Sequence, residues 1–215
     1  MDGKINLAGM RTNYSAAPFD ESHVLKNPIA QFKVWFDEAV LSKIEEPNAM
    51  TLATASNEVT PNARIVLLKE FDKKGFVFYS NYDSQKGKEL EKNNTAVLLF
   101  FWKELTRQVR IKGKIERITR EESEEYFHSR PRESQLGAWA SKQSGSIPNR
   151  KFLEDKFQYL QKEHDGKEIP LPPYWGGYRL FPTEIEFWQG RENRLHDRIL
   201  YSLIENDWKI SRLSP

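Results

Sequence analysis

Apolar residues recur along the chain with two periods, and the change between them organises the reading. Ile29, Phe32, Phe36, Ala39 and Val40 fall at helical spacing after Asn27, a good N-cap, and Pro28, which suits the first helical position. From residue 49 the pattern turns to strands. Residues 49–56 and 60–70 flank a polar turn at Asn57–Glu58 and read as a hairpin. Asp72-Lys73-Lys74-Gly75 predicts a second turn before a short aromatic strand, 76–79. A short helix over 84–92, an apolar strand over 95–102 and a mixed strand over 108–118 follow.

Thr119-Arg120-Glu121-Glu122 has capping-box spacing and predicts a helix towards Ser129, with Pro131 ending it. Residues 134–141 and 150–163 are further helix candidates. A proline-rich connection, 169–173, leads to strands near 175–180, 184–189, 198–205 and 208–213, the last two joined by a turn at Asn206–Asp207. Strands dominate both halves without alternating regularly with helices. That excludes a doubly wound parallel sheet and favours a mainly β, antiparallel barrel with peripheral helices. Residues 1–26, polar and mixed, read as a flexible N-terminal arm. Residues 27–215 form one domain with helices inserted at about 119–164.

Composition narrows the chemistry. The chain has 215 residues and no cysteine, which removes disulfides, thiolate nucleophiles and zinc–sulfur sites. Its four histidines are scattered without metal-ligand spacing, so no metal is expected, although folding could still assemble a site. A net charge of +2 gives no strong pull towards nucleic acid. No apolar run approaches the roughly 20 residues that span a bilayer, and the N-terminus lacks a secretory pattern. A cytoplasmic protein without a membrane partner is the expectation. There is no Gly-x-Gly-x-x-Gly and no Gly-rich phosphate loop, so side chains would have to hold the phosphate of any nucleotide-like cofactor.

Four stretches carry polar groups that a plain barrel does not need. Arg64 and Lys69 bracket four aliphatic residues; in a regular strand they face opposite ways, and a shared ligand needs a bulge or a strand end. Gln108 and Arg110 share a strand face. Tyr126, Arg130 and Ser134 recur every four residues and offer three donors suited to a phosphate, although Pro131 interrupts a continuous helix. If residues 194–198 are extended, Arg194, His196 and Arg198 share one face. Such a face needs an intervening anion or ring, or pairing to Glu184, Glu186, Glu192 or Asp197.

Phe-Trp-Gln-Gly followed by Arg-Leu-His-Asp-Arg (187–198) resembles the C-terminal signature of the pyridoxine/pyridoxamine 5′-phosphate oxidase family. Arg-Ile-Val-Leu-Leu-Lys (64–69), Tyr-Phe-His-Ser-Arg-Pro-Arg (126–132), Ser-Gln-Leu-Gly-Ala-Trp (134–139), Ser-Lys-Gln-Ser (141–144), Trp-Gly-Gly (175–177) and the closing Trp-Lys-Ile-Ser-Arg-Leu-Ser-Pro match in the same order. The likeness runs from about Met10 to Pro215. It implies a split β-barrel, Greek-key-like, that binds FMN at a homodimer interface and oxidises pyridoxine or pyridoxamine 5′-phosphate to pyridoxal 5′-phosphate. Hydride would pass to FMN, and oxygen would return as hydrogen peroxide.

By resemblance, FMN would be held by Arg64, Ile65, Val66, Leu67, Leu68, Lys69, Tyr79, Ser80, Lys86, Gln108, Gln143, Ser144, Trp188 and Arg198. Arg64 and Lys86 are the phosphate partners in that reading, and Gln108 and Arg198 meet the polar edge of the ring. Lys69, Tyr126, Arg130 and Ser134 would bind the substrate phosphate. Arg194 and His196 would close over the pyridine ring as the catalytic pair, and the segment Arg11 to Tyr14 would cover the substrate. One departure stands out: Gln85 occupies a position where the family commonly has arginine. A split-barrel flavin reductase and a non-catalytic pyridoxal phosphate-binding protein are the competing readings.

Overall fold

The structure, a computed structural model, describes residues 18–22, 24–56 and 60–215. They form five α-helices and nine strands: α1 Pro28–Leu41, β1 Ala49–Ala55, β2 Pro61–Leu67, β3 Glu70–Asp72, β4 Gly75–Asn81, α2 Gln85–Lys92, β5 Thr95–Trp102, β6 Arg107–Arg117, α3 Arg120–Ser129, α4 Arg132–Ala140, α5 Arg150–Glu163, β7 Trp175–Gln189, β8 Asp197–Ile204 and β9 Asp207–Arg212. The strands hydrogen-bond in the order β2-β1-β5-β6-β7-β4-β3, with β8 also on β7 and β9 on β8. The expected mainly β architecture with peripheral helices is the one observed.

Two compact units can be distinguished. Of the described residues, the first takes those up to 47, 100–110 and 184–215; the second takes those within 48–99 and 111–183. In the first, Asn27 caps α1 by accepting from the Ile29 and Ala30 amides at 2.9 and 3.0 Å. The buried face of α1, Phe32, Trp35 and Ala39, meets Phe100, Trp102 and Phe187; the Trp35 and Phe187 rings are 5.1 Å apart, edge to face. Of the expected arm, Phe19–Glu21 are fastened here. The Phe19 amide donates to Asp197 at 3.1 Å, and Glu21 takes two hydrogen bonds from Arg212.

In the second unit, β1 and β2 pair antiparallel from Ala49↔Leu67 to Ala55↔Pro61, as the hairpin reading requires; its turn, Asn57–Glu58, lies outside the described residues. Phe76, Phe78, Leu52, Leu98 and Leu180 are fully buried. The inserted helices carry their own core, with Phe127, Leu136, Ala140 and Leu160 packed against Ile169, Leu171 and Trp175. Thr119 and Glu122 form the expected capping box.

Several boundaries differ from the sequence reading. Residues 60–70 are not one strand, because the ladder breaks at Leu68 and Lys69. There the Leu68 amide turns to Asn48 O and the Lys69 amide to Val77 O, both at 2.9 Å. Conversely, 175–189 is a single strand. Its partner along one edge changes from β4 (at 175–180) to β8 (at 184–189), and Pro182, which has no N–H to give, sits at the changeover. Helix α4 starts at Arg132 rather than Ser134. The last hairpin turns at Glu205–Asn206, one residue earlier than expected, with both residues left-handed (φ 51° and 70°) and Ile204 paired to Asp207. Residues 194–198 are not an extended run: 192–194 form a tight helical turn, Arg194 has φ 62°, and β8 begins only at Asp197.

Candidate active site

A cleft of about 980 Å³ opens in the second unit. Arg64, Ile65, Val66 and Leu67 line it from β2, Tyr79 and Ser80 from β4, and Lys86 from α2. Tyr126 and Arg130 reach it from the end of α3, Ser134 from α4, and Gln143 and Ser144 from the loop beyond. The strand break solves the problem of opposed faces. Because β2 ends at Leu67, Lys69 lies past the regular alternation and lines the same cleft as Arg64. Leu68 does not line it; it is buried in the core.

Arg64 is held from three sides. Its Nη1 donates to Leu52 O at 3.2 Å and to Thr54 Oγ1, and its Nη2 lies 3.3 Å from Glu89 Oε2. Glu89 is itself buried, and burial alone would raise its pKa. The hydrogen bonds from Thr54, Gln85 and Asn62 and the charge on Arg64 together outweigh that and lower it. Lys86 is different. The residue is 8% exposed, and its ammonium donates to Gln143 Oε1 at 2.9 Å, Ser80 Oγ at 3.2 Å and Ser84 Oγ at 3.4 Å, all neutral acceptors. Burial first, and the charge of Arg64 second, lower its pKa. A buried cation served only by neutral groups is a receptor for an anion.

A second cationic set lies at the ends of α3 and α4. Tyr126 stacks on Tyr79 at 3.8 Å between centroids, and Trp175 continues the nearly parallel series, 5.4 Å from Tyr79. Arg130 lies 4.7 Å over the Trp175 ring. Its Nη1 is buried and has no hydrogen-bond partner among the described residues, and burial lowers its pKa. Pro131 ends α3, yet Tyr126, Arg130 and Ser134 still line the cleft together, because α4 restarts at Arg132. The cleft thus holds two groups of cations and hydroxyls with a stacked aromatic series beside them. It suits a planar ligand and two phosphates.

Gln108, Trp188, Arg194, His196 and Arg198 belong to the first unit and do not line this cleft. There Arg198 donates from Nε to Glu186 Oε1 and from Nη1 to Ser214 O, both at 2.8 Å, and Arg110 takes the other Glu186 oxygen at 2.5 Å. The His196 ring lies 4.7 Å from that of Trp188, and its Nδ1 accepts from the Arg191 amide at 3.1 Å. This leaves the proton of the neutral ring on Nε2. Burial and then the charge of Arg194 lower the His196 pKa. Arg194 is exposed. Arg11 and Tyr14 lie outside the described residues.

The sequence reading missed Glu89, named Glu186 only as one of four possible partners for the cations of 194–198, and gave Trp175 no role of its own. Glu89 and Glu186 serve arginines of the candidate set, and Trp175 lies beneath one, Arg130. Trp175 carried a signal as an aromatic beside paired glycines, and Glu186 one as a carboxylate close in sequence to the cations of 194–198; Glu89 carried none. Among the described residues no helix is long and apolar enough to cross a membrane.

The strand order and this cleft define an antiparallel split-barrel protein with a cleft lined by cations and hydroxyls. Residues 36–163 match the family model described as pyridoxamine 5′-phosphate oxidase, and residues 175–215 match the pyridoxine 5′-phosphate oxidase C-terminal dimerisation region. The pyridoxine/pyridoxamine 5′-phosphate oxidase of Polynucleobacter asymbioticus is 54% identical over 210 residues, covering 98% of this chain and 99% of its own. That of Salinibacter ruber is 54% identical over 212 residues, with 97% and 99% covered. Among solved structures, PhzG from Burkholderia lata, in complex with tetrahydrophenazine-1-carboxylic acid, superposes with a TM-score of 0.88 at 32% identity, covering 93% of this chain and 98% of that one. The chain belongs to the pyridoxine/pyridoxamine 5′-phosphate oxidase family, whose members are FMN-dependent enzymes.

Proposed function

We propose that the chain binds FMN and, as a homodimer in the cytoplasm, oxidises pyridoxine and pyridoxamine 5′-phosphate to pyridoxal 5′-phosphate. When bound, FMN supplies the hydride acceptor and passes the electrons to oxygen, giving hydrogen peroxide. Arg64, Lys86, Gln143 and Ser144 would hold its phosphate, since Lys86 is a buried cation with only neutral acceptors. Lys69, Tyr126, Arg130 and Ser134 would hold the phosphate of the substrate, with Arg130 Nη1 as the donor awaiting it. Gln108, Trp188 and Arg198 are assigned to the flavin ring. Arg194 and His196 orient the substrate's pyridine ring, and the neutral His196 presents Nε2–H as a donor. Arg11 and Tyr14 are assigned to covering the substrate. The match of residues 175–215 to a dimerisation region supports the homodimer, with FMN at its interface.

The observation that carries this reading is the pairing of two anion-seeking sets in one cleft. A flavin reductase acting on a substrate without phosphate has no use for the second set. The test is the visible spectrum of the purified protein before and after anaerobic addition of pyridoxine 5′-phosphate. Bleaching of the flavin band, reversed by air with peroxide release, is expected. A protein that stays colourless after incubation with FMN would overturn it.

A further inference from the structure

Arg179 lies outside every motif discussed so far. Its guanidinium is buried on β7, with Nη1 2.7 Å from Asp72 Oδ1 and Nη2 3.8 Å from Glu70 Oε1 and 4.0 Å from Glu122 Oε1. One cation therefore faces three carboxylates, two from β3 and one from α3.

Register places this hub beside the cleft. Arg179 pairs with Val77, Gly177 with Tyr79 and Trp175 with Asn81, so Arg179 shares a sheet face with the Tyr79 and Trp175 rings. Glu70 pairs with Val77 on the other edge of β4, and the neighbouring Lys69 is tied by its amide to Val77 O. On α3, Glu122 is fixed by the capping box and stands one turn before Tyr126, on the same helix face. Lys69 and Tyr126 thus each sit within one turn or one bond of a carboxylate that Arg179 holds.

We propose that Arg179 is a positioning residue for the Lys69–Tyr126 end of the cleft: by bridging Glu70, Asp72 and Glu122 and offsetting part of their charge it keeps β3 and α3 close enough to share one phosphate. The proposal rests on the assignment of that end to the substrate phosphate. Without Arg179 the three carboxylates repel one another, and their uncompensated charge lies beside a site for a dianion.

The test uses full-length protein reconstituted with FMN, comparing wild type, Arg179→Met, Arg179→Lys and Asp72→Asn. Pyridoxal 5′-phosphate binding is followed by its absorbance, and KM, kcat, flavin content and thermal midpoint are measured alongside. Arg179→Met should raise both the pyridoxal 5′-phosphate Kd and the KM about fivefold, the scale of one partly exposed ion-pair network. Flavin content and kcat should stay within about twofold. Arg179→Lys, which keeps the charge, should recover most of the loss. Asp72→Asn keeps an Oδ1 that accepts from the Lys74 and Gly75 amides, so it preserves the turn while replacing the charged link to Arg179 with a weaker neutral one, and it should weaken binding about twofold. A lowered thermal midpoint with unchanged Kd in Arg179→Met would make Arg179 merely structural. If that variant does not fold, an unchanged Kd in Asp72→Asn overturns the proposal. Wild-type protein that holds FMN but binds no pyridoxal 5′-phosphate would overturn the parent assignment, and this one with it.

Discussion

Lys86 donates to Gln143, 57 residues further along the chain, with Nζ 2.9 Å from Oε1. The contact joins the first turn of α2 to the loop after α4, and among the described residues the buried ammonium donates only to neutral acceptors, Glu89 acting on it through its charge alone. Such a group costs stability in the free protein and repays it only when an anion binds. Lys86→Met should therefore weaken FMN by roughly 10- to 100-fold, the worth of one charge-assisted hydrogen bond. The flavin-free variant should unfold no earlier than wild type. Fluorescence titration with FMN and thermal unfolding of the flavin-free protein measure the two halves. A variant that loses stability and keeps FMN affinity would reverse the assignment.

Gln85 spends its side chain on Glu89 and its amide on Ser144 Oγ, at 3.2 Å. Because the residue is exposed, an arginine here would add a solvent-screened cation rather than a buried one. Gln85→Arg should tighten FMN by a modest factor, about three- to tenfold, and the gain should shrink in 0.5 M salt. A gain that does not respond to salt would point to a different cause.

The residues that form the cleft were legible from the order of their motifs; their mutual placement was not. The strand pattern located β1, β5 and β6 within a residue or two, β5 as an apolar run and β6 as a strand of mixed faces. It could not reveal that the ladder breaks at Leu68, since a buried leucine between strands looks like one within a strand. The break is what lets Arg64 and Lys69 serve one cleft. Glu89 was invisible for another reason: it meets Arg64 across 25 residues, and no local pattern says which turn of α2 will face β2. At 187–198 the many cations were noticed. Glu186 and Asp197 stood among their possible partners, but the choice is made by the β7–β8 and β8–β9 registers for Arg198 and Arg212, and by the turn at 192–194 for Arg191.

Glu89 also fixes a pH dependence. Its folded pKa lies below the ordinary 4.5, so the unfolded chain binds its proton first as pH falls. Its stabilisation is thus complete above pH 4.5 and is lost as pH drops through the folded value. Glu89→Gln should lower stability at pH 7 by about 1–3 kcal/mol, leaving Arg64 without its charge partner. It should also flatten the acid limb of the stability curve. Urea unfolding between pH 3 and 7 reads both effects. An acid limb of unchanged steepness in the variant would remove Glu89 from the explanation.

For His196 the expectation is spectroscopic. With the Arg191 amide on Nδ1, and burial and Arg194 both disfavouring the charged ring, the imidazole should titrate below 6.5 and carry its proton on Nε2 at neutral pH. Arg194→Ala should raise the midpoint by removing the nearby cation. Nitrogen-resolved NMR across pH 4–8, with His196→Asn for assignment, measures tautomer and midpoint together. A midpoint indifferent to Arg194 would show that the two groups do not feel one another.

Two helical glycines should respond to alanine with opposite signs. At Gly87 in α2, an added Cβ would lie 2.0 Å from Tyr82 O and 2.5 Å from Tyr82 C. These are backbone atoms that cannot turn aside, so α2 must move, and Lys86 and Glu89 move with it. The helical preference for alanine, worth about 1 kcal/mol, is outweighed by a clash costing roughly 1–3 kcal/mol. Gly87→Ala should therefore destabilise the flavin-free protein and weaken FMN as well. At Gly137 in α4, no atom of the described residues beyond its chain neighbours and the helix's own backbone lies within 4 Å of the added carbon. Gly137→Ala meets no such opposition and should stabilise the flavin-free protein by about 0.4–1 kcal/mol. Denaturant unfolding of the two single variants settles the comparison. If Gly87→Ala stabilises the protein as Gly137→Ala does, the close seating of α2 on the Tyr82 carbonyl is wrong, and with it the route by which Lys86 and Glu89 are held in register with Arg64.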